Sequence, residues 1–384
     1  MMNRSTKERI RSNFSHTEND IIYLNHAAIS PLSNGVRSAM EHFLEERNRR
    51  SIDNFYIWME TAERTRTMIA NLIGSSSEDK ITFMGNTSDG LSAVAEGLDW
   101  SNGDEILLNT AEFPSNVQPF RILEKHGVRV RYIDTDEAGK VTPEMVEESI
   151  TQKTRLFSIS AVQYLSGYKA DLESMGEICR KNGIIFCVDG IQALGAVNVN
   201  VEKCNIDALA SGCHKWQMAP MGTGYLYISE SLADQLNPSK TGWLSVEEPW
   251  DLSNFDQEWL PVSSHLETGT MNMIGITGLH ASLESMREIG LDTIFNEICG
   301  LSDHLVDRIK ENDKMRLLTP DNSKQRAGIV TFSISNADPE EIMEKMKERS
   351  ITISIRQGFL RISPHFYNTF EEMDKMLEVL IREI

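Results

Sequence analysis

Between residues 80 and 230 the chain alternates short β-rich runs with helical runs, and few folds accommodate that rhythm. KITFM, DEILLN, VRVRYID, RLFSISAV, IIFCVD, IDALAS and GYLYIS read as strands, and the segments starting near Ser88, Pro114, Pro143 and Asp171 read as the helices between them. This order predicts an α/β fold whose mainly parallel sheet is covered on both faces. Gly127 and Gly183 stand where a helix must stop before the next strand, a position that calls for a left-handed residue. In such a sheet the functional groups gather at the carboxyl ends of the strands.

The flanks follow a different pattern. Residues 1–20 read as a polar N-terminal arm, and Ser30-Pro31 opens an amphipathic helix running to about Arg50. A second helix, about 59–73, stops at Gly74. After about Glu230 a loop-rich stretch carries Trp243, Trp250 and Trp259, followed by long helices near 273–289 and 291–311. The tail reads strand, helix, strand, strand, helix: GIVTFSI, PEEIMEKMKER, ITISI, FLRIS and TFEEMDKMLEVLIREI. We therefore expect a large domain over 56–274 and a smaller α+β domain made from 21–55 and 275–384. The methionines of the tail helices, Met343, Met346, Met373 and Met376, suit core or interface filling.

Charge and cysteine usage narrow the function. Against 57 Asp and Glu stand 38 Lys and Arg, a net charge of −19 over 384 residues that disfavours nucleic acid and anionic membrane surfaces as partners. No apolar run is long enough to span a bilayer, and the first twenty residues lack the apolar stretch of a signal peptide, so a cytoplasmic location is expected. Cys179, Cys187, Cys204, Cys213 and Cys299 are odd in number and contain no C-x-x-C pair, which argues against a disulfide framework. Cys213 and His214 are adjacent rather than spaced to converge on one ion, so no metal is expected.

Three segments carry chemistry. In ASGCHKWQMAPMGTGYLYI, Lys215 follows a strand beside Trp216 and apolar residues; desolvation there frees a neutral amine for attack on an aldehyde, although a surface lysine would read alike. IIFCVDGIQALGA puts Asp189 at the end of an apolar strand, where a carboxylate needs a partner such as a pyridinium nitrogen or the start of the next helix, and Gln192 three residues on. ITFMGNTSDGLSAVAEGL is a strand, a turn and a helix whose start carries Asn86, Thr87 and Ser88, a cradle for a phosphate or an ordinary helix cap.

Together with YLNHAAISP, AEFPSNVQPF, SAVQYLSGYKADL, ETGTMN and RISPHFYNTFEEMD, these segments resemble the fold type I pyridoxal-phosphate enzymes, and within them the class V aminotransferase group of cysteine desulfurases, selenocysteine lyases, kynureninases and isopenicillin N epimerase. The resemblance runs from about Ile22 to the C-terminus. It implies pyridoxal 5'-phosphate as cofactor, with Lys215 as the Schiff-base lysine, Asp189 on the pyridine nitrogen and Gln192 on the ring hydroxyl. Thr87 and Ser88, with Asn86 at the same turn and His214, match the phosphate ligands. Phe113 matches the ring against the cofactor face, and Gln163 or Tyr164 would touch the cofactor or pack behind it. Arg361 matches the clamp on a small amino acid's α-carboxylate, with His26 and Asn25 near the substrate. Thr270 matches a ligand donated by the neighbouring subunit, which implies a homodimer.

Two departures bear on the reaction. Cysteine desulfurases of the group carry a cysteine on a loop before the carboxylate-binding arginine. Here that interval is Arg356-Gln357-Gly358-Phe359-Leu360-Arg361, without cysteine and without room for such a loop. Ser211 also stands one residue further from His214-Lys215 than in those enzymes. The expected reaction, at Cα or Cβ of a small amino acid held as an external aldimine, is transamination or β-elimination with carbon–sulfur cleavage; desulfurase-like or epimerase activity and a catalytically silent regulatory protein are the alternatives. A nicotinamide enzyme is disfavoured because FMGNTSDG is not a G-x-G-x-x-G turn.

Overall fold

The computed structural model describes residues 2–49 and 53–383, so the expected helix end at Arg50 and the final residue Ile384 lie outside the described residues. After a short strand β1 (Ile22–Tyr23), seven strands build the central sheet: β2 (Ile81–Met84), β3 (Glu105–Asn109), β4 (Arg129–Ile133), β5 (Thr154–Ser160), β6 (Ile185–Asp189), β7 (Ala208–Gly212) and β8 (Gly224–Ile228). Their spatial order is β2-β8-β7-β6-β5-β3-β4. The pairs from β4 to β7 are parallel, and β8 runs antiparallel to both neighbours. The interval 213–223 between β7 and β8 holds Lys215 and is shorter than the dozen or so residues that a parallel crossover needs, which reverses the strand.

Side chains alternate across this sheet, as the pleat requires. Leu107 enters one apolar core with Phe157, Phe186 and Leu209, whereas its neighbours Ile106 and Leu108 enter the core on the other face with Leu156, Cys187 and Leu226. Burial on both faces explains why these strands read as continuous apolar runs. Gly127 and Gly183 take left-handed conformations at φ 82° and 66°, closing the segments before β4 and β6. The stretch after Pro114 forms only short turns, a 3-10 turn at Pro114–Asn116, one α-turn at Gln118–Arg121 and a second 3-10 turn at Ile122–His126.

In the C-terminal part, β9 (Met315–Leu317), β10 (Val330–Ile334), β11 (Ile351–Thr352), β12 (Ser354–Arg356) and β13 (Phe359–Ile362) complete the strands. An antiparallel sheet β12-β13-β10-β9 covers a third core that includes Leu305, Phe332, Leu360, Met346, Met373 and Met376. The expected single strand ITISI is divided: β11 pairs in parallel with β1, while β12 pairs with β13. The three-residue β9 carries too little pattern to be read from sequence.

The N-terminal arm also needs correction. Residues Arg4–Arg11 form a helix that docks on the body, burying Ile10 and Phe14; Phe14 stacks on Tyr367 with ring centroids 4.0 Å apart. Lys7 pairs with Glu297 at 2.6 Å and Arg11 with Glu372 at 2.7 Å, so the charges that made the segment look solvated anchor it instead. The helix expected from Ser30 begins at Asn34, because the Ser30 amide donates to the His214 carbonyl at 2.9 Å and holds the preceding turn extended beside Lys215. Among the described residues no helix is long and apolar enough to cross a membrane.

Gly195, at φ 99°, lies where a Cβ would stand 2.4 Å from the Trp216 carbonyl oxygen. Gly195→Ala is expected to lower the unfolding free energy by about 2 kcal/mol or more, since strain and a backbone clash combine. Gly183→Ala, left-handed but in open space, should cost only about 1 kcal/mol. Equal denaturant midpoints for the two variants would contradict this account of the Lys215 turn.

Candidate active site

The carboxyl ends of β6 and β7, the start of the helix Thr87–Gly97 and the β12–β13 hairpin enclose a cavity of about 410 Å³. Thr87, Ser88, Phe113, His214, Lys215 and Arg361 all line it, together with Asn86 and Gln192. Segments far apart in sequence thus converge on one space.

Lys215 sits in a dry setting. Burial lowers its pKa to about 8; Asp189 opposes the shift, and Arg361 and Arg356 add to it. Asp189 shows the complementary effect: burial raises it to about 6, against the Ile191 amide at 3.0 Å, the Ser115 hydroxyl at 3.2 Å and the Lys215 charge. Desolvation outweighs their mutual attraction, so near neutral pH the amine is partly available as a nucleophile while the carboxylate still lacks a close cation. The Phe113 ring, 43% exposed, has the Lys215 Nζ 5.7 Å from its centroid.

The implied cofactor fits these groups. At one end, the Thr87 hydroxyl accepts from the Gly212 amide at 2.9 Å, which leaves its own proton to donate, and Asn86 caps the helix by accepting from the Asp89 amide at 3.0 Å. Backbone amides at that helix start, with Ser88, suit a phosphate. His214 lines the same cavity, and burial followed by the Lys215 charge lowers its pKa. Gln192 donates to the Ala27 carbonyl and accepts from the Trp216 indole, both at 2.9 Å, keeping one N–H for a ring oxygen. At the other end, Arg361 is 2% exposed and donates to the Tyr164 carbonyl at 2.7 Å and the Ser354 hydroxyl at 3.3 Å, while its Nη2 is buried without a partner. Among the described residues it pairs with no acidic side chain, and a buried unpaired guanidinium nitrogen calls for an anion.

Several expected residues stand elsewhere. His26 is fully buried, with Nδ1 at 2.8 Å from the Ser363 carbonyl and Nε2 at 2.7 Å from the Tyr367 hydroxyl; it is a satisfied core histidine, not a substrate ligand. Asn25 does not line the cavity, whose wall there is Ala27 and Ala28. Gln163 is also corrected: its amide is spent on the Ala111 carbonyl and the Leu165 amide, and the adjacent Tyr164 lines the cavity instead. Ser211 is buried away from the cavity, donating to the Gly212 carbonyl at 3.0 Å. Thr270 is exposed in a separate groove with Gly85, Asp89 and Lys240. Neither Trp58 nor Trp243 lines the cavity.

Sequence reasoning missed Glu112, Ser115 and Arg356. Glu112 is a buried carboxyl with its pKa raised by desolvation; it accepts from the Ser160 hydroxyl at 2.5 Å and amide at 2.8 Å. The only signal for Ser115 was its closeness to Phe113, and Arg356 was noted merely as the start of the interval before Arg361.

Comparison with known proteins agrees with this geometry. The family model for class V aminotransferases matches residues 22–376. A probable cysteine desulfurase of Borreliella burgdorferi is 31% identical over 95% of this chain and 92% of its own, and one of Methanothermobacter thermautotrophicus is 30% identical over 94% of each. The apo structure of a cysteine desulfurase from Thermococcus onnurineus NA1 superposes with a TM-score of 0.89 at 28% identity, covering 98% of this chain and 97% of that one. The chain belongs to the class V aminotransferase family, and its cofactor is pyridoxal phosphate.

The raised pKa of Asp189 has a consequence for the cofactor-free protein. Its carboxyl binds a proton up to about pH 6 when folded but only to about 3.8 when unfolded, so its ionisation costs stability as pH rises through that window. Relative to Asp189→Asn, the apoprotein should lose on the order of 2–3 kcal/mol between pH 4 and pH 7. Denaturant unfolding of both forms checks this, and a flat difference would refute the assignment.

Proposed function

We propose that this class V aminotransferase family member is a pyridoxal-phosphate-dependent lyase that eliminates a sulfur or selenium substituent from Cβ of a small α-amino acid without help from an enzyme thiol. The observation that carries this reading is the β12–β13 hairpin. Arg356 pairs directly with Phe359, and the two residues between them, Gln357 and Gly358, both turn at positive φ, 51° and 81°. This matches a two-residue type I′ turn, which leaves no loop to carry a thiol.

The cysteines support the same reading. Burial raises Cys179 and Cys187 to about 12, Cys299 to about 11, and Cys204 and Cys213 also upward. A persulfide-forming step needs a thiolate beside the substrate. Here the sulfur must leave with the electrons of its own bond to Cβ. The likeness to cysteine desulfurases favours a sulfur substrate over an amine-transfer cycle, and transamination is the second reading.

Bound pyridoxal phosphate supplies an aldehyde that condenses with amines and a ring that spreads the charge left when Cα loses its proton. In this reading Arg361 holds the α-carboxylate through its unpaired Nη2, and Lys215, with its lowered pKa, takes the Cα proton. Asp189 balances positive charge on the ring nitrogen, Phe113 covers one face, and Thr87, Ser88, Asn86, Gln192 and His214 fix the other polar groups. The exposure of Thr270 outside its own cavity supports donation to the neighbouring site of a homodimer. The domain division at 56–274, with the remainder as a small domain, and a cytoplasmic location belong to the same proposal.

The purified protein should be yellow, and borohydride should bleach it while fixing the cofactor on Lys215; Lys215→Ala should lose at least about 10³-fold in kcat. Incubated with S-substituted cysteines, the wild type should release pyruvate and ammonia rather than alanine, and Cys213→Ser should keep its activity within about threefold. Alanine as the main product, or a new amino acid formed only with added keto acid, would replace this reading with desulfuration or transamination. Arg361→Ala should raise KM by about 100-fold for amino acids but barely change it for amines lacking the carboxylate.

A further inference from the structure

The cavity holds a second arginine that the reaction described above does not use. Arg356 lines it, at the end of β12, five positions before Arg361 and on the same hairpin. Its Nη1 donates to the carbonyl of the preceding Ile355 at 2.7 Å, and it makes no ion pair among the described residues. The next residue, Gln357, donates from its amide to the Tyr164 hydroxyl at 2.9 Å, and Tyr164 meets Phe113 edge to face at 5.2 Å. The hairpin tip is therefore braced against the cavity wall, and the arginine is presented from a rigid turn.

Two guanidinium groups in one cavity repel each other. Arg356 is among the causes that lower Arg361 to about 9, after burial itself, and it also acts on Lys215. Among the described residues no acidic side chain lines the cavity, and Asp189 behind it acts on Lys215 rather than on Arg361. The α-carboxylate expected at Arg361 satisfies one guanidinium. The phosphate cradle belongs to the helix Thr87–Gly97 rather than to this hairpin, which leaves Arg356 available to a second anion beside the first.

We infer that Arg356 is a specificity-determining residue that receives an anionic group on the β-substituent, so that the preferred substrates are small amino acids with two negative charges, such as an S-sulfonated cysteine. This rests on the lyase reading for its chemistry. With that substrate the Cα proton passes to Lys215, the Cβ–S bond breaks and its electron pair leaves on thiosulfate. The released 2-aminoacrylate takes up water to give pyruvate and ammonium, with no oxidant or reductant required. Arg356 then meets the charge of the departing group as well as that of the bound one.

The test has a binding arm and a turnover arm, both on the holoenzyme. Calorimetry with the unreactive dianion succinate and the monoanion butyrate should show succinate binding about 30-fold tighter or better, and Arg356→Gln should abolish that margin while Arg356→Lys keeps part of it. In turnover, the ratio of kcat/KM for S-sulfocysteine over S-methylcysteine should fall about 30-fold or more in Arg356→Gln. A succinate margin that depends on Arg356, with no pyruvate from either cysteine derivative, would sustain the anion site and sink the lyase reading. Pyruvate from both derivatives at equal efficiency, with succinate and butyrate binding alike, would do the reverse. A loss of cofactor affinity in Arg356→Gln that matches the loss of ratio would overturn the inference by assigning the residue to the phosphate.

Discussion

The burial of Asp189 at the end of β6 and of Lys215 just beyond the adjacent β7 is the constraint on which the site depends. Taking both groups out of water costs more than their attraction returns, which leaves the carboxyl near 6 and the amine near 8. Under the proposed function each awaits a partner, a ring cation for the acid and a carbonyl for the amine. The central sheet provides this by ending two fully buried strands side by side, Asp189 closing β6 and Gly212 closing β7 immediately before the Lys215 turn. The sharp turn at 213–223 also reverses β8, so the topology of that sheet edge and the placement of the amine have one cause.

Much of this was legible from the chain alone because buried strands and glycine-closed helices leave strong local signals. The central strands other than the edge strand β4 coincide with apolar runs, since a sheet covered on both faces needs no polar alternation; β4, with the sequence RVRYI at the sheet edge, is buried only at Ile133. The same holds for the helix start at Thr87, where polar caps and a strand ending in a turn occur together. What was not legible depends on which side of an extended segment faces inward. Gln163 and Tyr164 are neighbours in a segment where adjacent side chains diverge, and only tertiary packing puts the ring in the cavity and the amide behind it. His26 read as a site residue because an isolated histidine in an apolar turn carries no mark of its partners, and both, Ser363 and Tyr367, lie more than three hundred residues away. The first twenty residues misled for a related reason: two buried apolar side chains and two inward ion pairs suffice to dock a helix whose remaining surface is polar.

The C-terminal strands contribute more than a lid over a third core. The His365 ring lies 2.9 Å from the Trp216 carbonyl, and the Ser30 amide donates to the His214 carbonyl, so the chain on both sides of Lys215 is tied to segments from opposite ends of the sequence. Both arginines of the cavity come from the same region, on a hairpin braced by Gln357 against Tyr164. In the proposed reading the seven-stranded sheet and its helices supply the groups that hold the cofactor and the C-terminal hairpin supplies the two arginines, and the cavity lies where the two meet.

The tight turn at Gln357-Gly358 also sets a mutational distance between this chain and any enzyme that carries a thiol on this hairpin. Both turn residues are left-handed and the flanking pairs are in register, so the turn itself offers no loop on which a cysteine could swing across the cavity. Placing a thiol on a mobile loop here would take an insertion that opens the hairpin, and the same insertion would release the brace on Tyr164 and shift Arg356. Stepwise substitution can therefore adjust which amino acids this cavity accepts far more readily than it can change how sulfur leaves them.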